Sequence, residues 1–168
     1  MKIKSLKSQI GFTLIELLVV FFIMTTLAGV SIAAFVQYGN TQKLTTAAQD
    51  VTATLQVAKS RAFSQVKPSQ CANSDEFSGY KVVICCKGGY CSSCQAYEGY
   101  NLLAVCGAKN ISISTTKFIS GTSIGSGTTS DTFYFNAISG GVDGAGKVVL
   151  TGYGGTKKIT ITQTGVIQ

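Results

Sequence analysis

A single acid interrupts a long apolar run near the start of the chain. Glu16 is the one charged residue in the segment 12–36. An ionised carboxylate at the centre of a bilayer costs about 2.5 to 3.5 kcal/mol on insertion scales, so an acid in such a run indicates a functional role. Because a paired charge is far less costly in a low dielectric than an unpaired one, we expect Glu16 to meet a positive group.

Six cysteines form the second set of reactive side chains, and all lie in the middle of the sequence: Cys71, Cys85, Cys86, Cys91, Cys94 and Cys106. The pair Cys91 and Cys94, with Cys85 or Cys86 nearby, has a spacing that suits zinc. An even number of cysteines outside the cytoplasm favours three disulfides instead, with no metal. Neighbouring Cys85 and Cys86 would point to opposite faces of a strand, so they are expected to have different partners.

No group of residues suggests catalysis. The chain has no histidine that could activate a thiol. Residues 141–147 have the spacing of a phosphate-binding loop, but Val148 replaces the Ser or Thr that would bind magnesium. The residues that follow have the pattern of a strand, whereas phosphate binding needs a helix N-terminus, so we predict a hairpin loop here. The protein is not expected to be an enzyme or to need a cofactor.

The residues before the apolar run set its orientation. The segment 1–11 is polar and carries Lys2, Lys4 and Lys7 but no acid. This positive-inside pattern predicts that the N-terminus stays in the cytoplasm while everything after the run crosses the membrane. Residues 12–36 would be about 37 Å long as an α-helix, which is enough to span a bilayer. We therefore predict a single-pass protein of the inner (cytoplasmic) membrane with its head outside.

Two ordinary explanations of this N-terminus are weaker. A secretory signal peptide has an apolar region of about 7 to 15 residues and a small-residue cleavage site. Ser31-Ile32-Ala33 would serve as that site, but the run is longer than such a region and contains Glu16. A plain membrane anchor explains the length and the orientation but leaves the acid unexplained.

The spacing of Gly11, Phe12 and Glu16 resembles the class III signal of the type IV pilin and pseudopilin superfamily. In that motif a glycine precedes a hydrophobic residue, usually phenylalanine, and glutamate is the fifth residue of the mature chain. The resemblance implies that prepilin peptidase cuts after Gly11, where the absence of a side chain lets the backbone enter a protease cleft. It also implies N-methylation of Phe12.

The same resemblance implies that Glu16 is an assembly residue. Its carboxylate would neutralise the positive N-terminus of a neighbouring subunit, which makes the pair a device for setting the register of added subunits. The implied partners are the prepilin peptidase, other pilin or pseudopilin subunits and the inner-membrane assembly platform.

The apolar pattern continues beyond the membrane-length run with helical spacing. Apolar residues recur every three or four positions on one face: Leu44, Ala48, Val51, Leu55, Ala58, Ala62 and Val66. Lys67-Pro68 is expected to end this helix. We predict one helix over about 12–67, with a transmembrane and assembly part at 12–36 and an amphipathic part at 37–67.

Residues 68–168 have the pattern of a β-rich head with a cysteine-rich segment at 71–106. Six β-branched or aromatic runs are separated by Gly, Asn and Ser: 80–84, 100–105, 111–113, 132–135, 147–151 and 158–162. No further helix is evident, so an antiparallel, meandering sheet is expected on the helix. Residues 121–130 are predicted to be a loop. The fold class is α+β, the pilin-like arrangement of a long N-terminal helix on an antiparallel β-sheet.

Two parts of the chain resemble the GspH/FimT-like minor pseudopilins. They are the helix from Leu44 to Ala62 and the closing strands from Phe133-Tyr134-Phe135-Asn136 to Thr164-Gly165-Val166. The cysteine-rich middle is not covered. The resemblance implies a minor structural subunit of a type IV pilus or a type II secretion pseudopilus, associated with the filament after assembly.

DNA binding in natural transformation is the alternative function. FimT-like pilins implicated in DNA uptake carry arginines in the final glycine-containing segment, where guanidinium groups can hold phosphates. Here that segment reads Gly165-Val166-Ile167-Gln168, with only Lys157 and Lys158 nearby. Loss of the three leader lysines lowers the formal charge from +7 to +4, a basic bias too weak to indicate nucleic acid as a partner.

Overall fold

The computed structural model describes residues 11–71, 76–85, 98–139 and 141–168. Its elements are α1 (Leu14–Phe63), β1 (Phe77–Cys85), β2 (Gly99–Cys106), β3 (Lys109–Lys117), β4 (Thr122–Ile124), β5 (Thr132–Asn136), β6 (Val142–Asp143), β7 (Gly146–Gly152) and β8 (Gly155–Ile161). All the paired strands are antiparallel. The expected α+β class, a long N-terminal helix with antiparallel β-sheet, is confirmed.

The chain divides into two compact units, Met1–Gly39 and Asn40–Gln168. The second unit contains all the residues of the hydrophobic core, which begins at Leu44. The segment boundaries expected at residues 11 and 36 stay predictions.

The helix α1 ends at Phe63, four residues before the predicted end at Lys67. Gln65 follows with a φ of 51°. The amides of Gln65 and Val66 each donate to a carbonyl of the last helical turn over 3.0 Å. This is the Schellman pattern, which satisfies the last carbonyls of a helix and stops it. The prediction that Lys67-Pro68 ends the helix was wrong, because the helix already ends in this cap before Lys67. The residue in the left-handed conformation is Gln65, a position where glycine is usual.

One face of α1 packs into the core of the head. Six of the seven residues expected on this face are buried: Leu44, Ala48, Val51, Leu55, Ala58 and Ala62. Val66 was also expected there, but it is 50% exposed because it lies beyond the end of the helix. Burial of a side chain such as Leu55 stabilises the fold by about 1.5 to 3 kcal/mol.

Five strands form the larger sheet, in the order β3-β2-β1-β5-β6. The hairpins β1–β2 and β2–β3 follow the predicted meander. The chain then leaves this sheet and returns on its other side, where β5 pairs with β1 from Gly79–Asn136 to Val83–Thr132. The predicted meander therefore describes strands β1 to β3 but not the pairing of β5 with β1.

A second sheet, in the order β4-β7-β8, was not expected. Strand β4 falls within the predicted loop 121–130, and Thr122 and Ile124 are buried in it. The chain continues beside β7, where the Gly125 amide donates to the Val149 carbonyl over 2.7 Å. This segment pairs mainly through its backbone and its hydroxyl groups. It therefore lacks the alternating apolar side chains by which a strand is recognised in a sequence.

The glycine-rich segment 141–147 links the two sheets. Gly144 has a φ of 90°, which fits the glycine that the sequence analysis expected in a tight connection. The segment is not the predicted hairpin, because β6 pairs with β5 in the larger sheet while β7 pairs with β4 and β8 in the smaller one. A strand follows it, so the structure offers no helix N-terminus for a phosphate.

Both sheets bury their inner faces against α1 in one core. The largest fully buried side chains include Tyr80, Phe133 and Phe135 from the larger sheet and Leu150 and Ile161 from the smaller one. The Tyr80 hydroxyl donates to the Val66 carbonyl over 2.8 Å. Burial raises the pKa of Tyr80, and the nearby Arg61 guanidinium partly opposes that shift.

The C-terminal tail fastens the smaller sheet to the helix. Ile167 forms an antiparallel bridge with Ile161 at the end of β8. The Lys59 ammonium group donates to the Gly165 carbonyl over 2.8 Å. The tail is thereby fixed to both α1 and β8.

A disulfide joins the segment after α1 to the end of β2. Cys71 and Cys106 are bonded, with their Cα atoms 5.9 Å apart, and both are buried. Cys85 is also disulfide-bonded. The expected presence of a disulfide is confirmed, and the pairing of the remaining cysteines stays a prediction.

We expect loss of the Cys71–Cys106 bond to destabilise the head substantially. The bond closes a loop with a sequence separation of 35, and the chain-entropy model assigns about 4 kcal/mol to a loop of that length. Urea unfolding of the double variant Cys71→Ser with Cys106→Ser, followed by tyrosine circular dichroism in detergent, measures the change. Ser69→Ala, an exposed change in the same segment, should stay within about 0.5 kcal/mol of the parent. A loss below about 1 kcal/mol in the double variant would contradict the structural role of this bond.

Candidate assembly site

Thr13 fixes the start of α1. Its hydroxyl oxygen accepts a hydrogen bond from the Glu16 amide over 3.3 Å, and its carbonyl accepts one from the Leu17 amide over 3.2 Å. Thr13 is thus an N-cap residue, and Glu16 takes the third helical position, as in a Thr-x-x-Glu capping box. The negative charge of Glu16 therefore lies in the first turn, where the helix dipole favours it.

The two residues before Thr13 are accessible. Gly11 is exposed, and a β-carbon added to it would meet no atom within 4 Å. The Phe12 side chain is 76% exposed, and both residues lie outside any helix or strand. The peptide bond between Gly11 and Phe12 can therefore be reached by a protease without unfolding a regular element.

The first half of α1 is apolar all round and has no protein core to cover it. Its large apolar side chains are exposed on every face, among them Leu14, Ile15, Leu18, Phe21, Phe22, Ile23, Met24 and Leu27. A helix of this kind is buried in something other than its own domain. In the described part of the chain, α1 is the helix that is long and apolar enough to cross a membrane, by length and composition.

Two threonines in this apolar stretch satisfy their hydroxyl groups within the helix. The Thr25 hydroxyl donates to the Phe21 and Phe22 carbonyls, each at 3.0 Å. The Thr26 hydroxyl donates to the Ile23 carbonyl over 2.8 Å. Because polar groups in hydrocarbon must find partners inside the protein, these bonds suit a lipid environment.

Glu16 is chemically isolated on this surface. Its neighbours three and four positions away on the helix are Phe12, Thr13, Val19 and Val20, and none of them is ionisable. A lone carboxylate can accept hydrogen bonds or pair with a cation, but it has no partner here for acid–base catalysis. Within the described ranges, no cluster of His, Cys, Asp and Glu could hold a metal ion.

The structure separates the predicted site residues into two groups. Gly11, Phe12 and Glu16 lie together at the start of α1, in the unit Met1–Gly39. The bonded cysteines lie in the unit Asn40–Gln168. The leader lysines and the cysteines at 86, 91 and 94 lie outside the described residues.

Comparison with known proteins identifies the N-terminal segment. Residues 6–32 match the family described as the prokaryotic N-terminal methylation motif. The match includes Gly11, Phe12 and Glu16, and the motif is the class III signal peptide of type IV pilins. No curated protein and no solved structure matches the chain.

The motif, together with the fold, indicates a structural subunit of the type IV pilin kind. They support assignment of this chain to the type IV pilin and pseudopilin superfamily, whose members are processed by prepilin peptidase and assemble with other pilin subunits. The apolar helix is compatible with anchorage of the protein in the inner membrane.

The sequence analysis did not identify Thr13 as a functional residue. The signal was present, because Thr-x-x-Glu before an apolar run is the pattern of a capping box. The expectation for Glu16 rests on its charge within an apolar run and on the family resemblance, and neither of these indicates a helix N-terminus.

We expect Thr13→Ala to loosen the first turn of α1. Loss of an N-cap costs about 1 kcal/mol, so exchange of the Glu16 amide with solvent deuterium should become about fivefold faster in detergent micelles. Thr13→Ser keeps the hydroxyl and should retain slow exchange. Equal exchange in the parent and in Thr13→Ala would show that the cap contributes nothing.

Proposed function

We propose that this protein is a minor structural subunit of a type IV pilus or of a type II secretion pseudopilus. The observation that carries the proposal is the Gly11-Phe12-x-x-x-Glu16 spacing within the matched motif, on a helix whose first half has no protein core of its own. Prepilin peptidase cuts after Gly11, Phe12 becomes the methylated N-terminus, and the helix carries the subunit from the inner membrane into the filament.

Glu16 is the residue that sets the register of assembly. Its carboxylate lies at the N-terminal end of the apolar helix, close in sequence to the amine created at Phe12. A helix joining a bundle of apolar helices brings its own positive N-terminus into a low dielectric, where an unpaired charge is costly. Pairing that amine with Glu16 of a neighbouring subunit removes the cost at one axial position only, so one register is favoured.

A minor role is supported by the parts of the chain that resemble the GspH/FimT-like group. The helix residues of that resemblance form the buried face of α1. The closing residues form β5, β7, β8 and the tail fixed by Lys59. The disulfide of the head adds a brace to a subunit exported into an oxidising compartment.

Mass spectrometry of the mature protein tests the processing step. We expect the mature N-terminus to be Phe12 carrying one added methyl group. Gly11→Val adds a branched side chain at the scissile bond, so the leader should remain attached. Gly39→Val, a change within α1 at a glycine whose added β-carbon would likewise meet no atom within 4 Å, is the control and should be processed normally. A mature chain beginning at Met1, or near residue 34, would overturn the assignment.

Glu16→Gln tests the assembly step, because it removes the charge while keeping the shape of the side chain. An uncompensated N-terminal charge costs about 2.5 to 3.5 kcal/mol, so incorporation into filaments should fall about 100-fold while processing continues. Quantitative immunoblotting of sheared filaments and of the membrane fraction measures both effects. The control Asp50→Asn removes an exposed acid from the same helix, in the head unit, and should assemble normally. Normal incorporation of Glu16→Gln would remove the pairing role.

A further inference from the structure

A patch of the head lies close in sequence to the membrane-length run. Lys43 follows Val36 by seven residues. Seven residues span at most about 25 Å even when fully extended. Whatever the arrangement of the two units, the surface around Lys43 is therefore tethered near the end of the apolar helix. We call this surface the basal patch and define it by Lys43, Ile119, Tyr153 and Lys157.

Three chain segments meet at the basal patch. The Lys43 ammonium nitrogen lies 5.4 Å from the centre of the Tyr153 ring, at the turn between β7 and β8. The Tyr153 hydroxyl donates to the Ser120 carbonyl, in the connection between β3 and β4. The ring packs on Gly121, where a β-carbon would come within 2.9 Å of it. The tyrosine is thus held by both neighbouring segments while 37% of it stays exposed.

Tyr153 occupies a position that tyrosine seldom takes. Its φ is 51° and that of the following Gly154 is 76°, the left-handed pair of a two-residue hairpin turn. Asn, Asp or Gly is usual at the first of these positions because a larger side chain is strained there. The ring contacts Lys43 and Gly121 and still leaves part of its surface exposed, so it can also contact a ligand outside the protein.

The patch carries positive charge. The segments 40–49, 118–123 and 151–158 contain Lys43, Lys157 and Lys158 but no acid. Acids border the patch on the side of Ile119: Asp50 lines a small cavity with Lys117 and Ile119, and the Glu98 carbonyl accepts the Phe118 amide. Ile119, at 44% exposed, adds an apolar side chain next in sequence to Ser120, whose carbonyl accepts the Tyr153 hydroxyl.

We propose that the basal patch docks on anionic phospholipid headgroups while the subunit is anchored in the membrane. Tyrosine favours the membrane–water interface because its ring is apolar and its hydroxyl is polar. Lysines near an anionic leaflet are attracted to it, and an isoleucine can enter the boundary of the acyl chains. The tether holds the patch within reach of the bilayer. The proposal rests on the membrane anchor of the proposed function.

The chain has no tryptophan, so a single introduced one reports on its own surroundings. Ile119→Trp places the reporter in the basal patch and leaves the Lys43–Tyr153 contact intact. The full chain would be reconstituted in vesicles of phosphatidylcholine alone or with phosphatidylglycerol, each carrying brominated acyl chains that quench tryptophan. We expect emission to fall about twofold when phosphatidylglycerol is present, and 0.5 M salt to reverse the change. No quenching in the anionic vesicles would overturn the proposal.

Two further reporters separate the possible failures. Phe22→Trp lies in the apolar run and should be quenched in both kinds of vesicle. If the Phe22→Trp reporter is not quenched, the membrane anchorage assumed in the proposed function is contradicted. If it is quenched while Ile119→Trp is not, only the docking inference fails. Ile138→Trp is the control in the head: Ile138 is 80% exposed, and the neighbouring Ala137 carbonyl accepts the Gln65 side chain just past the far end of α1.

Charge variants test the chemistry of docking in the Ile119→Trp background. Lys43→Gln with Lys157→Gln should weaken docking about 25-fold, since each lysine near an anionic surface contributes about a factor of five. Lys81→Gln with Lys109→Gln removes the same charge elsewhere on the head and should leave quenching unchanged. An equal effect of both pairs would show that net charge alone, and not the basal patch, causes the attraction, and would overturn the proposal.

Discussion

The head depends on the burial of one stripe of α1. From Leu44 to Ala62 the helix offers one apolar face, and the inner faces of both sheets pack against it in a single core. At their exposed positions the edge strands β3 and β8 carry mainly Thr, Ser, Lys, Asn and Gly. Since a sheet is stable only when one face is covered, the helix is the common support of both. The same helix then continues towards the N-terminus with apolar residues on every side, so the element that organises the head is also the one that is long and apolar enough to cross a membrane.

Covalent and polar contacts hold the chain at the points where this packing ends. The Cys71–Cys106 bond secures the segment that leaves the helix, and the Tyr80 hydroxyl binds the Val66 carbonyl nearby. On the other flank of the helix, Lys59 binds the Gly165 carbonyl of the tail. These contacts connect residues that are far apart in sequence, and they lie at the borders of the core.

Much of this architecture is readable from the sequence because it depends on periodic side chains. The apolar stripe of α1 follows from its spacing, and six of the eight strands follow from their β-branched and aromatic runs. The N-terminal site follows from Gly11, Phe12 and Glu16, since a glycine and an acid at fixed distance beside an apolar run are individually recognisable.

The features that were missed depend on the backbone. The helix stops at a Schellman cap formed by Gln65, although that residue type rarely takes a left-handed conformation. Strand β4 and the residues after it pair through amides and hydroxyls, and β6 is two residues long. The division into two sheets arises at Gly144, where the chain turns from one sheet to the other. None of these features produces a periodic pattern of apolar side chains in the sequence. They can therefore be located only once the packing of the other elements is known.

The hydroxyl groups of Thr25 and Thr26 give the anchor a mechanical property of its own. Each donates to carbonyls that helical amides also use, at Phe21, Phe22 and Ile23. Such sharing weakens the regular ladder of a helix locally and lowers the energy needed to bend it. The apolar half of α1 therefore has a more compliant section about one to two turns before Gly29, where the curvature of the helix can change locally.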